Sequence, residues 1–172
     1  LVNAGGQVDA GANGTISMQG IGGKITIAGD LLSKGSDTQS GGSVNVTGQS
    51  GAVETQASST INTSGGASSG NVTIQAQQPS RLAGTLATPG NVTITTPAQA
   101  PVTHTGTLTA SSVDFSGPTQ IASTGRVTAE YVQFEMSSQV AGTVNASSVA
   151  ISPDVVLSLS GAGQLGRAAT VE

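Results

Sequence analysis

The 172 residues include two Phe, one Tyr and no Trp; only 8% are charged, the net charge is −4, and cysteine is absent. That composition excludes a core built on aromatic area, a disulfide framework, a thiolate metal site and a basic surface for nucleic acid. Twenty-five glycines and regularly placed aliphatics point to short, repeated extended segments, since a disordered chain would carry more net charge.

Taken in chain order, the recurring element is an apolar pair with one residue between. It appears as Ile16/Met18, Ile25/Ile27, Val44/Val46, Val72/Ile74, Val92/Ile94, Val113/Phe115, Val132/Phe134 and Val149/Ile151. The first members lie 9, 19, 28, 20, 21, 19 and 17 residues apart. Alternation with period two means strands, and Gly, Ser, Asn and Pro bound each one as corner residues. A second short strand is marked by Val8, Leu86, Leu108, Val127 and Val144, and a third by Ile61, Ile121 and Val140. Strands this short are unstable alone, and stacking them in successive coils pairs their backbones. The pattern therefore predicts an all-β parallel β-helix, a β-solenoid of 19–21 residues per coil. It has three short strands per coil and about eight coils, or about 40 Å of rod. Residues 1–172 form one domain, with an insertion near 47–66 and an irregular or truncated last coil at 152–172.

The apolar pairs, Met18 excepted, are assigned to the interior column. The residues between them, Ser17, Thr26, Asn45, Thr73, Thr93, Asp114, Gln133 and Ala150, face outward as a polar, nearly uncharged surface. The repetition is most literal in "GTLTASSVDF" (106–115), "GRVTAEYVQF" (125–134) and "GTVNASSVAI" (142–151), each opening on Gly.

The segments "GGKITIAGDLLSKG" (22–35), "GGSVNVTG" (41–48) and "STINTSGGASSGNVTIQA" (59–76) resemble the repeats of filamentous-haemagglutinin-type adhesins, and "LVNAGGQVDAGANGTISM" (1–18) has the same cadence. The resemblance implies a right-handed parallel β-helix, export through an outer-membrane transporter, and a place at the bacterial cell surface or in the secreted matrix. It also implies adhesion to a host or matrix receptor, carbohydrate or protein. It supplies no catalytic motif.

Candidate chemistry is sparse. His104 is the one histidine, and without Cys or a second His it predicts no transition-metal site. It stands in a run where Thr103, Thr105, Thr107 and Thr109 alternate with His104, Gly106 and Leu108. The phrases before and after do not repeat that run, which argues against a flat threonine face of the ice-binding kind. The Gly-rich aspartate pattern of calcium-filled rolls is missing. Parallel β-helices also carry polysaccharide-cleaving enzymes, whose paired carboxylates would here be Asp114, Glu130 and Glu135; no Lys or Arg cluster accompanies them. Asn13, Asn45, Asn62, Asn71, Asn91 and Asn145 each open an N-x-S/T sequon that the repeat itself generates. Tyr131 is the one aromatic placed to stack on a ligand.

The chain lacks an initiator Met and an apolar leader, and reads as a mature product or an excised piece continuing into further coils of the same or an identical chain. The expected function is a non-enzymatic extracellular shaft of an adhesin or matrix filament, with no catalytic residue, cofactor or metal. The alternatives are a fibre subunit polymerising end to end and, less favoured by the residues, a polysaccharide-active enzyme.

Overall fold

The computed structural model describes residues 1–66, 70–166 and 170–171; residues 167–169 and 172 of the expected irregular last coil lie outside the described residues. Among the described residues every regular element is a strand. The first coil holds β1 (Gln7–Asp9), β2 (Thr15–Gly20) and β3 (Ile25–Ile27), and the second β4 (Asp30–Leu32), β5 (Ser43–Gly48) and β6 (Val53–Thr55). The third holds β7 (Thr60–Asn62), β8 (Asn71–Ala76) and β9 (Ser80–Leu82), and the fourth β10 (Thr85–Ala87), β11 (Asn91–Thr95) and β12 (Val102–His104). The fifth holds β13 (Thr107–Thr109), β14 (Ser112–Phe115) and β15 (Thr119–Ile121). In the sixth, β16 (Arg126–Phe134) precedes β17 (Ser138–Val140); in the seventh, β18 (Thr143–Ile151) precedes β19 (Leu157–Leu159). An eighth coil begins with β20 (Gln164–Gly166) and β21 (Thr170–Val171).

All strand pairs are parallel, each strand bonding to its counterpart one coil away, so the chain is a parallel β-solenoid with three faces. Face one stacks β1, β4, β7, β10, β13, the first halves of β16 and β18, and β20. Face two stacks β2, β5, β8, β11, β14, the second halves of β16 and β18, and β21. Face three stacks β3, β6, β9, β12, β15, β17 and β19. The three repeated phrases lie side by side: Thr107 pairs with Arg126 and Arg126 with Thr143, Val113 with Val132 and Val132 with Val149.

The coil length is less even than the sequence suggests. Ile16 pairs with Val44 and Val44 with Val72, 28 residues on each time, whereas Val72 to Val92 and Val92 to Val113 take 20 and 21. Ile25 and Ile27 are therefore no coil of their own; they form face three of the first coil, and Thr26 leaves the column to which the sequence assigned it. Val46 changes neighbours as a result. It follows Ile27 in the series of apolar pairs, yet it stacks between Met18 and Ile74. Ile94, in the regular part of the rod, keeps the neighbours its spacing implies, Ile74 and Phe115. Ile61 likewise belongs to face one, between Leu31 and Leu86. The reason is that period-two alternation is identical on all three faces, so it reports a strand without reporting which face the strand is on.

The long coils owe their extra length to the corner between faces one and two, which takes in residues 33–42 in the second coil and, in the third, lies between β7 and β8, with residues 63–66 and 70 described. These connections bond to each other, through Gly35 N–H to Ser64 O (2.8 Å) and Gly66 N–H to Ser36 O (2.9 Å). Further along, the same corner shrinks to residues 88–90, then 110–111, and finally vanishes as β16 and β18 run straight across it. The inward side chain at this corner changes in step. Ser33, Thr63 and Thr88 are buried hydroxyls that bond to corner backbone or to one another: Ser33 Oγ to Gly14 O at 2.7 Å, Thr63 Oγ1 to Thr88 Oγ1 at 2.7 Å. Where the corner needs no such support, Ala110, Ala129 and Ala146 replace them.

A second set of hydroxyls closes the corner entering face three. Pro79, Pro101 and Pro118 occupy equivalent positions just before β9, β12 and β15, at strand starts, where the missing N–H is tolerated. The buried Ser80 accepts from Val53 N–H (2.9 Å) and donates to Gln78 O (2.9 Å); Ser138 treats Thr119 N–H (3.1 Å) and Met136 O (2.8 Å) the same way. Ser80→Ala strips a buried amide of its partner, and a loss of about 1–3 kcal/mol in chemical denaturation is expected.

The interior is one continuous apolar column. Fourteen of the fifteen residues assigned to it from the sequence are at most 6% exposed, while Ile151 is half-buried near the end of the described rod. Two aromatic rings fit inside despite the narrow section: Phe115 and Phe134 stack with centroids 5.2 Å apart. The same coils place small residues, Ala110, Thr119 and Ser138, at other inward positions.

Candidate functional site

Face two presents outward the column Ser17, Asn45, Thr73, Thr93, Asp114, Gln133 and Ala150. The apolar pairs behind it supply packing and no chemistry. Val46 and Ile94, for example, are enclosed aliphatics on the inner side of the strands whose outer side carries Asn45 and Thr93. Beside the outward column Asn71 Oδ1 accepts the backbone N–H of Asn91 at 3.0 Å, one side-chain-to-backbone bond between adjacent coils. Six side chains gather on this face in coils five and six. Asp114 accepts from the Ser116 hydroxyl (3.1 Å), Tyr131 donates to Gln133 Oε1 (3.3 Å), and Ser111 donates to Glu130 Oε2 (3.3 Å). Tyr131 is exposed, as its position between Glu130 and Val132 implies.

Burial pushes the Asp114 carboxyl above its ordinary value; the Glu135 carboxylate adds to the rise and the Ser116 hydroxyl offsets part of it. Its Oδ1 is buried with no hydrogen-bond partner. Asp114 and Glu135 are thus electrostatically linked, while Glu130 turns to Ser111. A carboxyl whose folded value is raised favours the fold at low pH, and that contribution is lost as pH rises from about 3.8 through the folded value. Asp114→Asn is therefore expected to raise the unfolding midpoint at pH 7 and to leave it unchanged near pH 3. The gain is small because the group is half-exposed and screened; parallel melts at the two pH values check it.

Sequence reasoning missed the outward column of face three: Thr26, Glu54, Arg81, Thr103, Gln120, Gln139 and Ser158. Lys24 reaches Glu54 at 2.7 Å, an exposed pair of small energetic consequence. The charges of this strip stand 27 to 30 residues apart in the chain, and only the 28-residue coil length brings them together. Face one is a row of hydroxyls and amides: Thr60, Thr85, Thr107 and Thr143 share a column with Asp30 and Arg126. The neighbours of Thr107–Thr109 are Thr85–Ala87 and Arg126–Thr128, so threonine recurs on this face more than the flanking phrases indicate. Thr103 lies on a different face from Thr107, across the corner at Thr105 and Gly106.

His104 points inward, 2% exposed, in the column Ile27, Thr55, Leu82, His104, Ile121, Val140 and Leu159. Among the sequon asparagines, Asn13 sits exposed in a turn at φ 55°, and Asn62 Oδ1 accepts from Ser64 N–H at 2.9 Å. Among the described residues no three His, Asp or Glu side chains gather as metal ligands would. Comparison with protein-family models, with curated proteins and with solved structures finds no match to this chain.

Proposed function

We propose that the chain is a non-enzymatic structural shaft, a segment of a surface adhesin or matrix filament of the filamentous-haemagglutinin type, that spaces and displays what is attached to it. The observation that carries this reading is the unbroken parallel ladder on all three faces through seven coils. Backbone hydrogen bonds in series, each coil resting on its neighbours, give a rod whose stability grows coil by coil. An outer surface of Thr, Ser, Asn and Gln keeps that rod wet along its length. Secretion, passage through an outer-membrane transporter and binding of a carbohydrate or protein receptor belong to this reading. Display of the chain on a bacterial surface tests it. Cells carrying it should adhere to matrix-coated glass more than cells without it, and equal adhesion would count against the adhesive role.

A second reading, a subunit that joins end to end, is favoured by where the apolar exposure lies. Leu1, Val8 and Ile21 in or beside the first coil, and Val156 and Leu159 in the seventh, are the most exposed large aliphatics among the described residues. Electron microscopy of the isolated chain at high concentration separates the two. Filaments of even width support joining, and single rods about 35 Å long, seven coils at the strand spacing, speak against it.

A further inference from the structure

His104 is the one interior position of its column where a titratable group replaces an aliphatic or a hydroxyl. Leu82 lies one coil before it and Ile121 one coil after. Its Nε2 stands 3.1 Å from the carbonyl oxygen of Arg126. A carbonyl only accepts, so the ring donates there, and in the neutral form Nδ1 is then a bare lone pair. Nδ1 is buried and has no partner. An interior cavity of about 10 Å³ adjoins the ring, lined among others by Thr55, Leu82 and Leu108. The Thr55 hydroxyl on its wall already takes the N–H groups of Ala83 (2.9 Å) and Gly84 (3.2 Å).

No carboxylate faces the ring either. Strands β7, β8, β10, β11, β13, β15 and β17 carry no titratable residue. The titratable residues of the remaining neighbours, Glu54 on β6, Arg81 on β9, Asp114 on β14, and Arg126, Glu130 and Tyr131 on β16, all occupy outward positions. A second proton would therefore place a full charge inside the apolar column with no carboxylate to balance it and only backbone groups, at Arg126 and Gly106, to favour it.

We propose that His104 makes the fourth coil a proton-sensitive joint: charging the imidazole in mild acid loosens the stacking of coils three, four and five while the rest of the rod stays paired. Burial holds the imidazole below its ordinary value, with the backbone at Arg126 and Gly106 offsetting part of the effect. The sign follows. The unfolded chain takes up the proton near pH 6.5 and the folded chain resists it, so stability is full above about pH 6.5 and declines below it until the folded-state value is reached. Because coil–coil contacts are nearest-neighbour terms, the weakening stays local before it becomes global.

Because the chain has a single histidine, one imidazole proton resonance reports the site. Followed by NMR from pH 8 to pH 4 in the folded chain, it should titrate well below 6.5; titration at or above 6.5 overturns the proposal. Denaturation of the natural chain, of His104→Leu and of His104→Gln across the same range supplies the second arm. The unfolding constant of the natural chain should rise against both variants by up to tenfold per pH unit below 6.5, one proton's worth. The Gln variant keeps the comparison valid if Leu packs poorly, because only the slope with pH is read. Identical slopes in all three chains overturn the proposal. Amide exchange at pH 5 should rise first in residues 80–84, 100–106 and 119–127, and a uniform rise along the rod contradicts a joint.

Discussion

Phe134→Ala is expected to lower the unfolding free energy by about 3–5 kcal/mol, the range for emptying a fully buried aromatic site. Phe134 is completely buried and its ring lies 5.2 Å from that of Phe115 with 16° between the planes. The truncation thus loses apolar area, opens a void against Phe115 and removes a ring–ring contact. The void is hard to refill, because collapse would require coils six and five to shift against ladders paired on every face. A double-mutant cycle with Phe115→Ala isolates the ring–ring contribution, expected at about 0.5–1.5 kcal/mol. Ile151→Ala, at the same inward position one coil on but half-buried, should cost less than Phe134→Ala. Equal losses would mean that the column is not packed as described.

Gly106→Ala is expected to destabilise by about 1–3 kcal/mol, although alanine is small and the backbone there is unexceptional. The cause is close approach. Gly6, Gly29, Gly84, Gly106, Gly125, Gly142 and Gly163 immediately precede the face-one strands, one above another at the corner leaving face three. A Cβ at Gly106 would sit 2.1 Å from the carbonyl oxygen of Gly84, one coil below. That oxygen is a ladder acceptor, bonded by Thr107 N–H, and cannot swing away without breaking the ladder. Ser59 is the exception in the column; its four-residue corner between β6 and β7 is no longer than those that end at Gly125 and Gly163, so corner length does not explain it. Thermal denaturation of Gly106→Ala beside the natural chain checks the loss.

Much of this architecture is visible in the residues. The glycine that opens each phrase at 106, 125 and 142 marks this crowded corner, and the apolar pairs mark face two from Val72 onward, Ile94 among them. The early coils are harder to read. "KITIAG" (24–29) has the same alternation as "GTISMQ" (14–19), and nothing in it says that the chain has turned a corner onto face three. Val46 therefore reads as the neighbour of Ile27 when its partner is Met18, 28 residues back. The long connections at 33–42 and 63–70 carry no apolar mark to reveal them as corners. The outward strip of Glu54 and Arg81 is invisible for the same reason: its members fall together only once the 28-residue coils are known. His104 reads as one residue in a threonine-rich strand; that it replaces an aliphatic between Leu82 and Ile121 depends on register alone.

Register is also where the account is most directly testable. The chain has no cysteine, so paired substitutions report cleanly. Ser17 and Asn45 stand opposite each other on neighbouring coils, about 4.8 Å apart, whereas Thr26 and Asn45 lie on different faces. Under mild oxidation S17C with N45C should form an intramolecular disulfide, the spacing being within the range such bonds span, and T26C with N45C should not. The reverse result, with Thr26 and Asn45 joined and Ser17 left free, would contradict the stacked coils described here.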